Sequence, residues 1–103
     1  MSVVNNLERH RYEIQVDGEP AGFTEYEPGE QALAFMHTEI DPRFKGQGLG
    51  SRLVSEALDD ARRRQLDVLP FCEFVRSFLA SHADYVDLVP ADRREEFGLA
   101  GAR

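Results

Sequence analysis

The sequence predicts a mixed α+β domain in the order β-β-β-α-β-α, a mixed and mostly antiparallel sheet with two covering helices. Three observations carry this reading. Strand-like alternation is confined to the first forty residues, helical spacing takes over after Pro42, and a short apolar run with a second helical pattern follows.

Tyr12, Ile14 and Val16 alternate with Glu13, Gln15 and Asp17, the pattern of a half-buried strand, and Asp17-Gly18 supplies the turn that opens a hairpin. Phe23 to Tyr26 reads as a second strand closed by Pro28-Gly29, and Gln31 to Ile40 as a third, more apolar one. Beyond Pro42, the residues Leu49, Leu53, Val54, Ala57, Leu58 and Ala61 recur at helical spacing, with Arg52, Glu56, Asp59, Asp60 and Arg63 on the other side. This amphipathic helix is expected to run to about Gln65. Val68 to Phe71 makes a short buried strand, parallel to the third because a helix crosses between them. Phe74, Val75, Phe78 and Leu79 mark the second helix. Asp84 to Val89 is apolar enough to dock, whereas Pro90 to Arg103, polar and rich in small residues, is expected to fray. The 103 residues therefore read as one domain with a core over about residues 8–89.

Charge narrows the partners. Twelve basic against 19 acidic residues leave a net charge of -7, which repels polyanions, so nucleic acid is not an expected partner. Cys72 is the only cysteine, which rules out an intramolecular disulfide and a multi-cysteine metal site, and a reducing cytoplasm fits best. No metal is expected. The start, MSVVNNLERHRYE, has no apolar signal-peptide core, and runs such as Ala32 to Met36 are too short to cross a bilayer. The expectation is a cytoplasmic monomer or weak homo-oligomer without a membrane partner.

One stretch departs from the acidic average. Pro42 to Ser55 holds no acid but carries Arg43, Lys45 and Arg52, and inside it lies GQGLG, Gly46 to Gly50. The loop follows a strand and opens a helix, where free backbone N–H groups and the positive helix end meet phosphate. Arg43, Lys45, Gly46, Gln47, Gly48, Leu49, Gly50 and Ser51 are the candidate binding residues; a flexible surface turn is the alternative. The spacing is neither GxxxxGK[ST] nor the GxGxxG of a first βαβ unit, so those two nucleotide-binding classes drop out.

HTEIDPRFKGQGLGSRLV, His37 to Val54, resembles the acetyl-CoA motif of the GNAT acetyltransferases, Q/R-x-x-G-x-G/A, with Lys45, Gly48 and Gly50 at the defining positions. Lys45 stands where the family usually has Arg or Gln, keeping the charge but losing the bidentate fork. His37-Thr38-Glu39 before the loop and Pro70-x-Cys72 after the helix are similar to the compact branch of that family. The resemblance spans roughly Tyr12 to Val89. It implies a GNAT-like fold, acetyl-CoA or coenzyme A as cofactor, the pyrophosphate on Gln47 to Gly50, and pantetheine between the splayed third and fourth predicted strands. It also implies acetyl transfer to an amine of a small molecule or protein. A coenzyme A-binding module without turnover is the other reading of the same loop.

Transfer to an amine needs a proton acceptor, a donor for the developing oxyanion and a way to protonate the departing thiolate. His37 and Glu39 lie two apart on one strand and so share a face near the loop; each is a candidate acceptor, and each equally reads as an ordinary strand residue. Cys72 starts the second helix, where a thiolate is favoured, and is a candidate nucleophile or a small core residue. Many larger members carry a Tyr acid in that helix. Leu79 occupies its place here, and Tyr85 is the nearest phenol.

Overall fold

The computed structural model describes residues 1–99. Five strands, β1 (Ser2–Asn6), β2 (Arg11–Val16), β3 (Glu19–Pro28), β4 (Ala32–Ile40) and β5 (Asp67–Pro70), form one sheet in sequence order. All neighbours are antiparallel except β4 and β5, which run parallel as the helical crossover between them requires. The crossover is α1 (Leu49–Arg63); α2 (Glu73–Ser81) follows β5.

Helix α1 lies across the sheet and touches every strand. Its apolar stripe, Leu49, Leu53, Val54, Ala57, Leu58 and Ala61, is buried against Tyr12, Ile14, Tyr26, Leu33 and Phe35. At about 1.5–3 kcal/mol for each large side chain withdrawn from water, this stripe outweighs the modest propensity of any single position. The helix stops at Arg63, with Gln65 in a left-handed conformation, φ 59°, turning the chain toward β5. Helix α2 packs against β4, β5 and α1.

Three features differ from the sequence reading. An extra strand, β1, pairs with β2 from Ser2↔Gln15 to Asn6↔Arg11. Its SVVNN sequence is short and weakly patterned, because an edge strand needs only one neighbour. Strand β3 begins at Glu19 rather than Phe23. The stretch after Pro90 is packed as far as it is described: Phe97 and Leu99 are buried, the Phe97 ring meets Phe71 edge-on at 5.2 Å, and Arg94 Nε donates to the Val89 carbonyl. Two apolar anchors hold a segment whose average composition is polar; residues 100–103 lie outside the described range.

Candidate active site

A one-residue irregularity in β4 decides what faces what. Tyr26 pairs with Phe35 and Glu25 with His37, so Met36 is an extra residue, a β-bulge. Before it, Leu33 and Phe35 point into the core; after it, Thr38 does, opposite the fully buried Thr24. His37 and Glu39 are turned to the other face.

Beyond the bulge β4 and β5 part. Their pairing ends at Phe35↔Pro70, and the last link is the Cys72 N–H donating to the Phe35 carbonyl at 2.8 Å. Cys72 is the N-cap residue of α2, almost buried, and its side chain does not cap the helix. Its Sγ lies 3.3 Å from Thr38 Oγ1, which lies 2.8 Å from Thr24 Oγ1. Thr38 is the only hydrogen-bond partner of the Thr24 hydroxyl among the described residues. A buried hydroxyl proton without an acceptor is costly, so Thr24 donates to Thr38, and the Thr38 hydroxyl lies within hydrogen-bond distance of the sulfur, where either group can donate. In the sequence Thr38 stands only as the middle of His37-Thr38-Glu39; its place depends on the register with Thr24, which no local pattern carries.

At the far end of the parted strands, Asp41 accepts from the Arg43 N–H at 2.9 Å and starts a 3-10 turn, Pro42–Phe44. The chain then passes through Gly46 (φ 84°) and Gly48 (φ 72°) into α1. A Cβ on either glycine would meet nothing within 4 Å, so backbone conformation, not space, calls for glycine there. Gly50 is different: a Cβ on it would run into the Phe74 ring of α2. Gly48 is the N-cap of α1; it offers no capping side chain, and the first turn contains no acid. The opening amides of α1 are therefore left for another acceptor.

The basic window is less free than its composition suggests. Arg43 pairs with Asp41 at 3.1 Å and reaches Glu19 at 3.8 Å, its hydrogen bonds holding the Asp41 carboxyl below the ordinary range. Arg52 pairs with Glu56. Lys45 alone of the three makes no ion pair among the described residues. Gln47 is exposed beside it, Leu49 is buried in the core, and Ser51 lines a groove of about 350 Å³ with Phe74, Ser77, Phe78 and His82 between α1 and α2.

The three candidate catalytic side chains do not converge. His37 Nε2 and Glu39 Oε2 are 2.8 Å apart and mostly exposed, on the face opposite Thr38. Glu39 lines a wide groove of about 670 Å³ on that open face, with Arg11, Glu13, Phe23 and Arg43. Cys72 meets Thr38 on the core side. Leu79 is fully buried, and Tyr85 donates to Asp59 of α1 at 2.9 Å, burial and that carboxylate raising its pKa. Asp59 lies ten residues into α1, roughly 15 Å along it, so Tyr85 serves the far end of the helix. No group of three or more His, Cys, Asp or Glu side chains suited to a metal ion occurs among the described residues, and no helix there is long and apolar enough to cross a membrane.

Comparison with known proteins agrees with this arrangement. An NMR structure of a GCN5-like protein from Staphylococcus aureus has the same fold, with a TM-score of 0.66 at 19% identity over 85% of this chain and 86% of that one. A crystal structure of Ard1 from Thermoplasma volcanium matches 58% of this chain and 41% of its own length, with a TM-score of 0.51 at 21% identity. No curated protein matches the sequence. A family model described as GCN5-related N-acetyl-transferase matches residues 11–88, from the first residue of β2 to the segment that follows α2. With the bulged β4, the glycine-led α1 and the parted β4 and β5 all inside that span, the chain belongs to the GCN5-related N-acetyltransferase family.

Proposed function

We propose that this protein is an acetyl-CoA-dependent N-acetyltransferase acting on a primary amine. The observation that carries the reading is the uncapped start of α1, led by two left-handed glycines, at the end of β4 where it has parted from β5. The amides around Gln47 to Gly50 and the positive end of α1 suit a pyrophosphate, with Lys45 as the free cation beside them. The gap between β4 and β5 suits the extended pantetheine arm. Met36, Phe71 and Phe74, all partly exposed, give it apolar walls.

At the acyl end, Cys72 is the nucleophile this geometry favours. Thr38, with its hydroxyl proton turned to the sulfur, would orient Cys72, whose thiolate would attack the thioester carbonyl as coenzyme A leaves as its thiolate. The amine would then attack the acetyl-cysteine, losing its proton as the Cys72 thiolate departs. That proton would pass to a water at the mouth of the gap, because His37 and Glu39 lie on the opposite face of β4. Two measurements test the reading. Native mass spectrometry should detect coenzyme A or acetyl-CoA bound to the purified protein. Intact mass after mixing with acetyl-CoA alone should show one added acetyl group that Cys72→Ala abolishes. Transfer at the parent rate by Cys72→Ala would return the thiol to a packing role and leave direct attack by the amine.

One observation favours a second reading, a coenzyme A-binding module without turnover: the candidate bases and the thiol lie on opposite faces. Free coenzyme A released faster with amines present than without them excludes it.

A further inference from the structure

Among the described residues, six large apolar side chains stand exposed, and they fall into two groups. Met36, Phe71 and Phe74 surround the parted strands and belong to the site above. Met1, Val4 and Leu7, 57%, 48% and 66% exposed, follow the free edge of β1 and belong to nothing in the fold.

That edge lacks the usual protection. Natural sheets blunt a free edge with charge, proline or a bulge, because its unpaired N–H and C=O groups are a template for another strand. From Met1 to Leu7 there is neither a charged side chain nor a proline, in a chain with 30% charged residues, and β1 pairs with β2 without a register shift. A net charge of -7 opposes most approaches of one copy to another; this uncharged edge is where that repulsion is weakest.

We infer that two copies of this chain pair through β1, antiparallel about a two-fold axis at Val4, to give one continuous ten-stranded sheet. The register follows from the sequence. With Val4 opposite its own copy, Ser2 faces Asn6, Val3 faces Asn5, and Met1 faces Leu7 of the second chain. All three exposed apolar side chains thereby gain apolar partners in a single arrangement, and the pairing is isologous, as a closed dimer requires. A slip by two residues pairs Val3 with Leu7 but sets Met1 against Arg9, Ser2 against Glu8 and Val4 against Asn6, leaving the exposed Met1 and Val4 without apolar partners. On the adjacent strand, Glu13, the β2 partner of Val4, is already neutralised by Arg11 at 2.7 Å, so the joined face brings no bare carboxylates together. The β1 edge lies three strand spacings from β4, roughly 14 Å, so the gap between β4 and β5 stays open, while the wide groove, which reaches Asn6 and Arg9, borders the joined edge.

The test uses the full chain with any tag at its C-terminus. Sedimentation velocity over a concentration series should give a dimer, and Val4→Lys should raise its dissociation constant by about tenfold or more, with unchanged circular dichroism. Val4→Cys in a Cys72→Ala background should be cross-linked chain to chain by a short bismaleimide, the introduced thiol then being the only one present. A parent that stays monomeric throughout, or a Val4→Lys dimer as tight as the parent, overturns the inference. A dimeric Val4→Cys protein that resists cross-linking overturns the register, and with it the axis at Val4.

Discussion

The two ends of α1 are built on opposite principles. At its C-terminal end the helix carbonyls are met by backbone amides and the charged side chains are paired within this protein. Tyr12 donates to Asp60 at 2.6 Å, Asp60 also receives Arg63 and Arg64, and Arg62 pairs with Asp87 at 2.8 Å. At its N-terminal end there is no capping side chain, no acid in the first turn, and a glycine held in a left-handed conformation. A helix that could have been capped by a serine or aspartate for about 1 kcal/mol instead leaves its amides open. One end is finished by the fold; the other is left open, as the proposed function requires.

The largest way to break this contrast is to supply the missing anion. Gly48→Glu should lower coenzyme A affinity by about a hundredfold or more, because a carboxylate within a few ångströms of a pyrophosphate is strongly repelled. Calorimetric titration of the folded variant measures it, and an unchanged affinity would move the phosphate site elsewhere. Gly50→Ala should change stability by less than about 1 kcal/mol in denaturant unfolding, because the exposed Phe74 ring can swing aside and alanine favours the helix, offsetting effects of similar size.

The closed end should respond in stability and not in binding. Tyr12→Phe should cost about 1–2 kcal/mol in denaturant unfolding while leaving coenzyme A affinity intact. Its pH dependence has a definite sign. Burial alone would raise the Asp60 carboxyl, but hydrogen bonds from Tyr12, Arg63 and Arg64 win and hold it below the ordinary carboxylate range. Its contribution is present above about pH 4 and is lost as pH falls through the lowered folded value. Burial and then Asp60 push the Tyr12 phenol upward, so its contribution is full below about pH 10 and is lost as pH rises toward the folded value. Acid and alkaline unfolding of Tyr12→Phe against the parent should show both losses diminished.

Two smaller effects sharpen the description of the open end. Thr38→Val should slow alkylation of Cys72 by about three- to tenfold at fixed pH, the worth of one hydrogen bond to a charged sulfur, and Thr38→Ser should restore it. Lys45→Ala should weaken coenzyme A by about two- to fivefold, with the effect fading at high salt. Arg43→Ala should do less than Lys45→Ala, because Asp41 and Glu19 already hold that guanidinium.

The contrast also explains what could be read from the sequence. The open end of α1 is local: Lys45, Gly48, Gly50 and the apolar stripe from Leu49 to Ala61 follow one another in the chain, and so do the conformations they impose. The closed end joins Tyr12 to Asp60 across 48 positions, and the thiol end joins Thr24, Thr38 and Cys72 from β3, β4 and α2. Such contacts exist only once register and crossing are fixed. Strand β1 and the docked Phe97 and Leu99 were hidden for a related reason: each rests on a few apolar contacts within a stretch whose composition reads as surface.

Met36 acts on β4 as an inserted letter acts on a reading frame. Were Met36 taken into regular alternation instead of bulged out, the phase set by Leu33 and Phe35 would send His37 and Glu39 into the core and Thr38 out into solvent. One added residue thus lets a single nine-residue strand speak in two phases, the first spelling core and the second spelling site. A strand that ironed out the bulge while keeping Met36 would hold every one of these side chains in its sequence and still present all of them to the wrong side.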